Sequence, residues 1–258
     1  MNQSYAVVTG SSQGLGYSFA NTLAQKGHNL ILISLPNQNL SKLSQNLHQQ
    51  YKVKVVFYEV DLCIKENILN VCNCINEKYD IDILINNAGI GGSKMFEKAS
   101  TQYLESIIYL NILATTLITH QLLPNLKKRN KAYILNISSL AGLSPIGYKT
   151  IYPASKAFIH SFSRGLYQEL RNTNVFVSVV NPGAMATNDE TKNRIKNQGF
   201  WGKLTLLEPD SVANKCIKQI YKRDTVIVVN PISWLFLRIM PIWVRLPLLT
   251  NTIKKEVC

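Results

Sequence analysis

The first recognisable motif of the chain is the segment YAVVTGSSQGLG, from Tyr5 to Gly16. Four apolar residues typical of a buried strand precede three closely spaced glycines, Gly10, Gly14 and Gly16. An amphipathic run follows and ends at Gly27, as expected of a helix with a glycine C-cap. A strand, a glycine-rich turn and a helix N-terminus can hold a pyrophosphate, because backbone N–H groups and the helix dipole point at the anion. An ordinary strand-to-helix turn is the alternative, and the glycine spacing favours the nucleotide cradle.

Alternating strand and helix patterns continue along the chain without repeats or a flexible linker. Apolar runs predict buried parallel strands at residues 29–34, 53–60, 81–86, 133–138, 175–180 and 225–229, and helical patterns include 102–123 and 151–170. Right-handed crossovers then give a Rossmann-like, doubly wound parallel α/β sheet. We expect one such domain over residues 1–230, with residues 231–258 as an apolar, basic extension of it.

A tyrosine and a lysine lie four residues apart in the segment YPASK, at Tyr152 and Lys156. Positions i and i+4 share a helix face, so the ammonium can favour the phenolate and make Tyr152 an acid/base group. An isolated pair of this kind is usually an exposed helix face. Here the pair Ser138-Ser139 stands at the predicted end of a strand, and Ser139 is thirteen residues before Tyr152.

Several motifs in a fixed order resemble the short-chain dehydrogenase/reductase family over about residues 4–230. The motifs are Thr9-Gly10-x-x-x-Gly14-x-Gly16, Asn86-Asn87-Ala88-Gly89, Asn111, Ser139, Tyr152-x-x-x-Lys156 and Asn181-Pro182-Gly183. The resemblance implies an NAD(P)-dependent oxidoreductase. It also selects Ser139 over Ser138, because the family's serine is followed closely by a small pair such as Ala141-Gly142.

The chemistry implied is hydride transfer between a nicotinamide and a carbonyl or hydroxyl carbon. Negative charge develops on the carbonyl oxygen, and Ser139 and Tyr152 can donate hydrogen bonds and a proton to it. Lys156 would hold Tyr152 in its working protonation state and bind the nicotinamide ribose. By resemblance, Asn111 would stabilise a water that links the lysine to solvent.

The resemblance also implies a set of cofactor contacts. Asp61 would contact the adenine, Asn87 would brace the central strands or contact the adenosine, and Thr187 would reach the carboxamide or pyrophosphate. Residues 184–199 would form a lid, and Trp201 would cap the substrate entrance or pack as an ordinary aromatic. The full predicted cofactor set is Gly10, Ser12, Gln13, Gly14, Leu15, Gly16, Ser34, Asp61, Leu62, Asn87, Ala88, Gly89, Tyr152, Lys156, Pro182, Gly183 and Thr187.

The choice between NADP and NAD rests on the end of the second strand. NAD-selective members of the family carry an acidic residue there, and NADP-selective members carry Arg or Lys there or in the glycine-rich turn. This chain has Ser34-Leu35-Pro36 at the strand end and Gln13 in the turn. Without a carboxylate to repel a 2′-phosphate, and with Ser34 and Lys42 near enough to assist, we expect NADP, with NAD as the alternative.

The amino-acid composition bears on the number of domains, the cellular compartment and the presence of a metal site. The 258 residues are 46% hydrophobic, enough for a sizeable core in a single α/β domain. The five cysteines are an odd number without metal-ligand spacing, and Cys72 and Cys74 would diverge on a helix. We therefore expect a reduced, cytoplasmic enzyme without a metal site. We also expect it to be a homo-oligomer.

The charge is concentrated toward the C-terminus. The net charge is +13, and the twelve basic and four acidic residues from Lys192 onward account for +8 of it. No nucleic-acid-binding motif accompanies these cations, so we expect no nucleic-acid partner. Residues 232–249 are apolar, with two tryptophans, two arginines and two prolines. A monotopic membrane contact and burial against protein, in a substrate pocket or a subunit interface, both fit this composition.

The substrate is constrained only by the apolar content of the segments expected around it. Residues 140–148, the lid and the C-terminal segment favour a long-chain 3-oxoacyl thioester, a steroid or another lipid carbonyl. The functional alternative is a non-catalytic nucleotide sensor on the same fold. The complete set Asn111, Ser139, Tyr152 and Lys156 disfavours a sensor.

Overall fold

A computed structural model describes residues 4–183, 185 and 207–257 of the protein. Seven parallel strands form one sheet in the order β3-β2-β1-β4-β5-β6-β7. The strands are β1 Tyr5–Thr9, β2 Asn29–Ser34, β3 Val55–Glu59, β4 Ile81–Asn86, β5 Ala132–Ile137, β6 Val175–Val180 and β7 Val226–Ile227. The strand order reverses between β1 and β4, so a crevice opens there at the carboxyl ends of the strands.

Helices cover both faces of the sheet, as a doubly wound fold requires. They are α1 Gly14–Gln25, α2 Leu40–Tyr51, α3 Lys65–Lys78, α4 Thr101–Ile108, α5 Thr115–Lys127, α6 Ile151–Leu170, α7 Pro209–Tyr221, α8 Pro231–Ile239 and α9 Ile242–Val257. One core contains Phe19, Leu47 and Ile217, from α1, α2 and α7. The other contains Ile75 and Leu122, from α3 and α5. Each such fully buried side chain contributes about 1.5–3 kcal/mol of transfer free energy.

The predicted helix over 102–123 is interrupted in the structure. A π-helical turn, Tyr109–Ala114, separates α4 from α5. Such a turn inserts one extra residue and redirects the side chains within it, which an apolar periodicity cannot reveal. The complete run Thr101–Lys127 is long and apolar enough to cross a membrane by length and composition. We assign it as a core helix, because Ile118, Leu122 and Leu126 are buried against the sheet.

The strand predicted at 53–60 is shorter and less buried than expected. It lies at the sheet edge as β3, and Phe57 is exposed there. The bounds of β2, β4, β6 and α6 match the predicted ranges. These segments lie in the interior of the sheet or pack along it, where burial makes the apolar pattern strongest.

The C-terminal segment forms two helices with a break between them. Asn230 caps α8 by accepting a hydrogen bond from Ser233 N at 3.1 Å, and Pro231 occupies the first turn. Met240 ends α8, and α9 begins after Pro241. The Arg245 guanidinium donates to the Leu237 carbonyl near the end of α8. The two helices are therefore tied together at the break.

Candidate active site

The glycine-rich turn after β1 needs glycine at two positions for steric reasons. Gly10 has a φ of +64°, and a Cβ atom there would lie 2.8 Å from Ala88 Cα. At Gly16 a Cβ atom would lie 1.9 Å from the Gly10 carbonyl oxygen. Gly16 thus permits close packing of α1 on the turn; it is not among the residues that line the cleft, and its predicted cofactor contact stays a prediction.

Thr9 and Asn87 fasten the turn to the neighbouring strand. Thr9 Oγ1 accepts from the backbone N–H groups of Asn87 and Ala88, each at 3.0 Å. The Asn87 amide donates to the carbonyls of Thr9 and Gly10 at 3.0 and 3.1 Å. Of the two roles predicted for Asn87, these contacts are those of bracing. Thr9 was part of the motif without an assigned role, since a side chain that only holds other backbone groups has no distinct sequence signal.

A cleft of about 560 Å³ runs from this turn to the start of α6, at the carboxyl ends of the strands. This volume is typical of cofactor and ligand sites. Most of the predicted site residues line it: Gly10, Ser12, Gln13, Gly14, Leu15, Ser34, Asp61, Leu62, Asn87, Ala88, Gly89, Ser139, Tyr152, Lys156, Pro182 and Gly183. Thr187, the predicted lid 184–199 (apart from Met185) and Trp201 lie outside the described residues.

Tyr152 and Lys156 project from the first two turns of α6 into the cleft. Lys156 is buried, and its Nζ donates to the Ile137 carbonyl at 2.9 Å and lies 6.0 Å from the centre of the Tyr152 ring. Burial lowers the pKa of Lys156 to about 8, because the ammonium loses hydration. The pair predicted from the sequence is therefore brought together.

The two candidate serines have different partners. The Ser138 hydroxyl donates to the Lys156 carbonyl at 2.7 Å, which ties β5 to α6. The Ser139 hydroxyl accepts from Ala141 N at 3.1 Å, and among the described residues its other hydrogen-bond contact is the Pro182 carbonyl at 3.5 Å. A contact of that length holds a hydroxyl proton weakly. Ser139 is the serine whose proton can turn toward a ligand.

Asn111 lies in the π-helical turn and is buried beside the cleft. Its side chain accepts from Ile90 N and donates to the Ile90 carbonyl, both at 2.9 Å. It also donates at 2.9 Å to Ser155, whose hydroxyl donates to the Tyr152 carbonyl at 2.8 Å. These bonds join the loop after β4 to the start of α6. The predicted water relay through Asn111 stays a prediction, since these contacts describe a brace.

Two further glycines lie against the start of α6, near Tyr152 and Lys156, and sequence reasoning gave neither a role in the site. A Cβ atom on Gly91 would lie 3.0 Å from two atoms of the Tyr152 ring. On Gly142 it would lie 2.7 Å from the backbone carbonyl carbon of Lys156. The repeated glycines at 89, 91 and 92 were a usable signal for such close approach.

The opposite end of the cleft lies at the end of β2. Ser34 Oγ accepts from Ser12 N at 3.1 Å, and Ser12 Oγ lies 3.4 Å from Gln38 Oε1. Lys42, predicted to assist here, is exposed on α2 and does not line the cleft. Asp61 lines the cleft, and its carboxylate accepts from Cys63 N at 2.8 Å, as in a local turn. Among the described lining residues, the charged side chains are Asp61 and Lys156.

A parallel α/β sheet with a glycine-rich turn and a tyrosine-lysine pair at the same edge defines a nucleotide-dependent oxidoreductase. The sequence model described as short chain dehydrogenase matches residues 4–198. The chain belongs to this family of NAD(P)-dependent enzymes, which confirms the resemblance, the fold class and the enzyme class predicted from the sequence.

Named relatives and solved structures agree with this assignment. An uncharacterised oxidoreductase of Staphylococcus saprophyticus is 32% identical over 213 residues, 82% of this chain and 88% of that protein. A very-long-chain 3-oxoacyl-CoA reductase of Anas platyrhynchos is 35% identical over 187 residues, 71% of this chain but 60% of that protein. A short-chain dehydrogenase from Sphingobium yanoikuyae, solved with NADPH, superposes with a TM-score of 0.78 at 26% identity, covering 99% of this chain and 96% of that one.

Proposed function

We propose that the protein reduces the carbonyl group of an apolar, lipid-derived substrate with NADPH, and that long-chain 3-oxoacyl thioesters are its substrate class. The observation that carries the proposal is the continuous cleft from the glycine-rich turn to Ser139, Tyr152 and Lys156. A dinucleotide fits this cleft, because Gln13, Gly14 and Leu15 at the start of α1 line it, and the N-terminus of a helix attracts a pyrophosphate.

Each catalytic residue has a defined task in this proposal. A nicotinamide held in this cleft would supply a hydride to the carbonyl carbon. Tyr152 donates its proton to the carbonyl oxygen, and the Ser139 hydroxyl donates a hydrogen bond to the same atom. Lys156 stands behind Tyr152 and favours the phenolate that remains. Asn111 holds the start of α6 through Ser155, so it is a positioning residue.

The substrate class is supported by the lining of the cleft near Tyr152 and by one relative. Ile90, Leu110 and Met185 give this end an apolar wall. The relative from Anas platyrhynchos carries the name of a very-long-chain 3-oxoacyl-CoA reductase. The match covers 60% of that protein, so its substrate is part of our proposal for this chain.

The cofactor proposal rests on the neutral end of β2. Ser12, Ser34 and Gln38 offer hydroxyl and amide groups to a 2′-phosphate. Among the described residues that line the cleft, the one carboxylate is that of Asp61, which follows β3. The NADPH in the Sphingobium yanoikuyae structure supports the same choice. NAD remains the alternative cofactor.

The compartment and the organisation of the chain complete the proposal. We place the enzyme in the cytoplasm, because Cys63, Cys72, Cys74 and Cys216 are all unpaired, as in a reducing environment. The division between a catalytic domain at 1–230 and an extension at 231–258 is supported by the helix cap at Asn230. A homo-oligomer stays a prediction.

Turnover measurements separate this function from the nucleotide sensor. The purified full chain should oxidise NADPH when given long-chain 3-oxoacyl-CoA, faster than with a short water-soluble ketone or a steroid ketone. Binding of NADPH should be followed in parallel by its fluorescence. Cofactor binding without turnover on any of these compounds would favour the sensor, and faster turnover of the steroid would replace the proposed substrate class.

Ser34→Asp is expected to reverse or flatten the cofactor preference. A carboxylate at this position would repel a 2′-phosphate and lower the ratio of kcat/KM for NADPH to that for NADH by about tenfold or more, which corresponds to about 1.4 kcal/mol. Ser34→Asn is the matched control, because the Asn side chain has a size similar to that of Asp but carries no charge. The explanation by charge is wrong if both variants shift the ratio equally, or if the wild-type protein already prefers NADH tenfold.

A further inference from the structure

Helices α8 and α9 present a group of exposed apolar side chains that the catalytic proposal does not use. We call this group the C-terminal patch: Ile232, Leu235, Ile239, Ile242, Trp243 and Leu248. The largest fractions are at Trp243, which is 75% exposed, and Ile239, which is 70% exposed. Ile232, Leu235 and Ile239 follow the i, i+3, i+7 spacing, so they share one face of α8. Three exposed apolar side chains on one helix face, followed by three more on the next helix, favour an interaction site.

The charged residues of the segment that carries the patch are mostly basic. Residues 231–257, which form the two helices, contain four basic residues, Arg238, Arg245, Lys254 and Lys255, and one acidic residue, Glu256. The Arg238 guanidinium lies 4.9 Å from the centre of the Trp234 ring, and Arg238 and Lys254 are exposed. The apolar face is therefore bordered by cations that can reach an anionic surface.

The lengths of the helices suit a surface position. Helix α8 has 9 residues and α9 has 16, with Pro247 inside the latter. A spanning helix needs about 20 apolar residues, so neither helix is long enough to cross a bilayer. Short amphipathic helices with tryptophan and basic residues lie in the interface between headgroups and acyl chains.

Charge complementarity separates a bilayer from a second copy of the chain. Two copies of the patch would bring cations together in a protein whose net charge is already +13. An anionic headgroup layer offers the opposite charge, and its acyl region accepts the exposed apolar side chains.

The patch is connected to the substrate side of the active site. The segment between Ser139 and Tyr152 contains Gly147, whose N–H donates to Thr250 Oγ1 of α9 at 3.0 Å. A Cβ atom on Gly147 would lie 2.6 Å from Thr250 Cγ2, so the segment and α9 are in close contact. We propose that the C-terminal patch docks the protein on an anionic bilayer with the segment between Ser139 and Tyr152 beside the lipid. This proposal concerns binding and does not depend on the identity of the substrate.

Vesicle co-sedimentation of the full chain tests the docking. The protein should pellet with vesicles of phosphatidylcholine containing phosphatidylglycerol, and less with pure phosphatidylcholine or in high salt, because salt screens the attraction. The double variant Ile239→Gln, Trp243→Gln should bind at least about tenfold more weakly, since two exposed apolar side chains are removed. Lys254→Glu should weaken binding to the anionic vesicles by about tenfold while leaving binding to pure phosphatidylcholine unchanged.

Ile64→Gln is the matched control, because Ile64 is 47% exposed and precedes α3, outside the patch. Circular dichroism and thermal unfolding should show that all variants remain folded, as the substituted side chains are exposed. The proposal is overturned if the wild-type protein stays in the supernatant with anionic vesicles, or if the double variant binds as well as Ile64→Gln does. A change from oligomer to monomer in the double variant, without any vesicle binding by the wild type, would assign the patch to a second copy instead.

Discussion

Tyr152→Phe is expected to lower turnover by at least about 10²-fold, the lower range for loss of a positioned acid. Only the hydroxyl is removed, so the ring can keep its contact with Gly91 and the start of α6 should be unchanged. NADPH binding, followed by its fluorescence, should stay close to that of the wild type. Steady-state rates with the best substrate from the panel provide the measurement.

Tyr167→Phe is the control for this experiment. Tyr167 lies on the same helix, but its ring packs against Phe176, at 5.5 Å between centroids, away from the residues that line the cleft. Its hydroxyl should be dispensable for turnover. Near-normal rates for Tyr152→Phe would remove Tyr152 as the proton donor.

Lys156→Met is expected to abolish most turnover and, at the same time, to stabilise the protein without cofactor. The wild-type ammonium is buried, and its pKa of about 8 lies below the ordinary value of 10.5. At pH 7 the buried ammonium therefore lowers the free energy of unfolding of the wild type by about 3 kcal/mol. The variant loses the hydrogen bond to the Ile137 carbonyl, which lowers its free energy of unfolding by about 1 kcal/mol. The variant should then be about 2 kcal/mol more stable at pH 7.

The difference in stability between Lys156→Met and the wild type should depend on pH. Between pH 8 and 10.5 the unfolded chain holds more protons on Lys156 than the folded chain does, so wild-type stability rises with pH over this range. The penalty is fully present below pH 8 and is lost as the pH approaches 10.5. Denaturant unfolding at several pH values should show the advantage of Lys156→Met shrinking toward high pH. Lys42→Met, at an exposed position, should show no such trend, and a variant less stable than the wild type at pH 7 would contradict the burial argument.

The sequence predicted the parts of the fold where periodicity and burial agree. The run at 175–180 is apolar throughout because β6 is covered on both faces of the sheet, and the structure gives it the predicted bounds. The edge strand β3 was predicted too long, since an edge receives little cover and its pattern continues into the flanking loops. The π-helical turn was missed, because one inserted residue barely alters the spacing of apolar residues around it.

The sequence predicted the site residues whose side chains carry out chemistry better than those whose role is in packing. Tyr152 and Lys156 follow from their spacing, and the structure places both in the cleft. The cofactor contact predicted for Gly16 stays a prediction, whereas the role of its missing side chain in the packing of α1 became visible only in the structure. Lys42 is near Ser34 in sequence, but the turn through Asn37 and Asn39, both with positive φ, begins α2 with Lys42 facing solvent.

The hydrogen bond between Gly147 and Thr250 joins residues 103 positions apart, and this separation orders the assembly of the protein during its synthesis. The nucleotide cradle, the strands up to β6 and the Tyr152 helix are all made before Thr250. At translation rates of about 5–20 residues per second, the partner of Gly147 appears roughly 5–20 s later. A growing chain can thus fold its glycine-rich turn and strands first. The segment between Ser139 and Tyr152 gains its hydrogen bond to Thr250 only when α9 has been made.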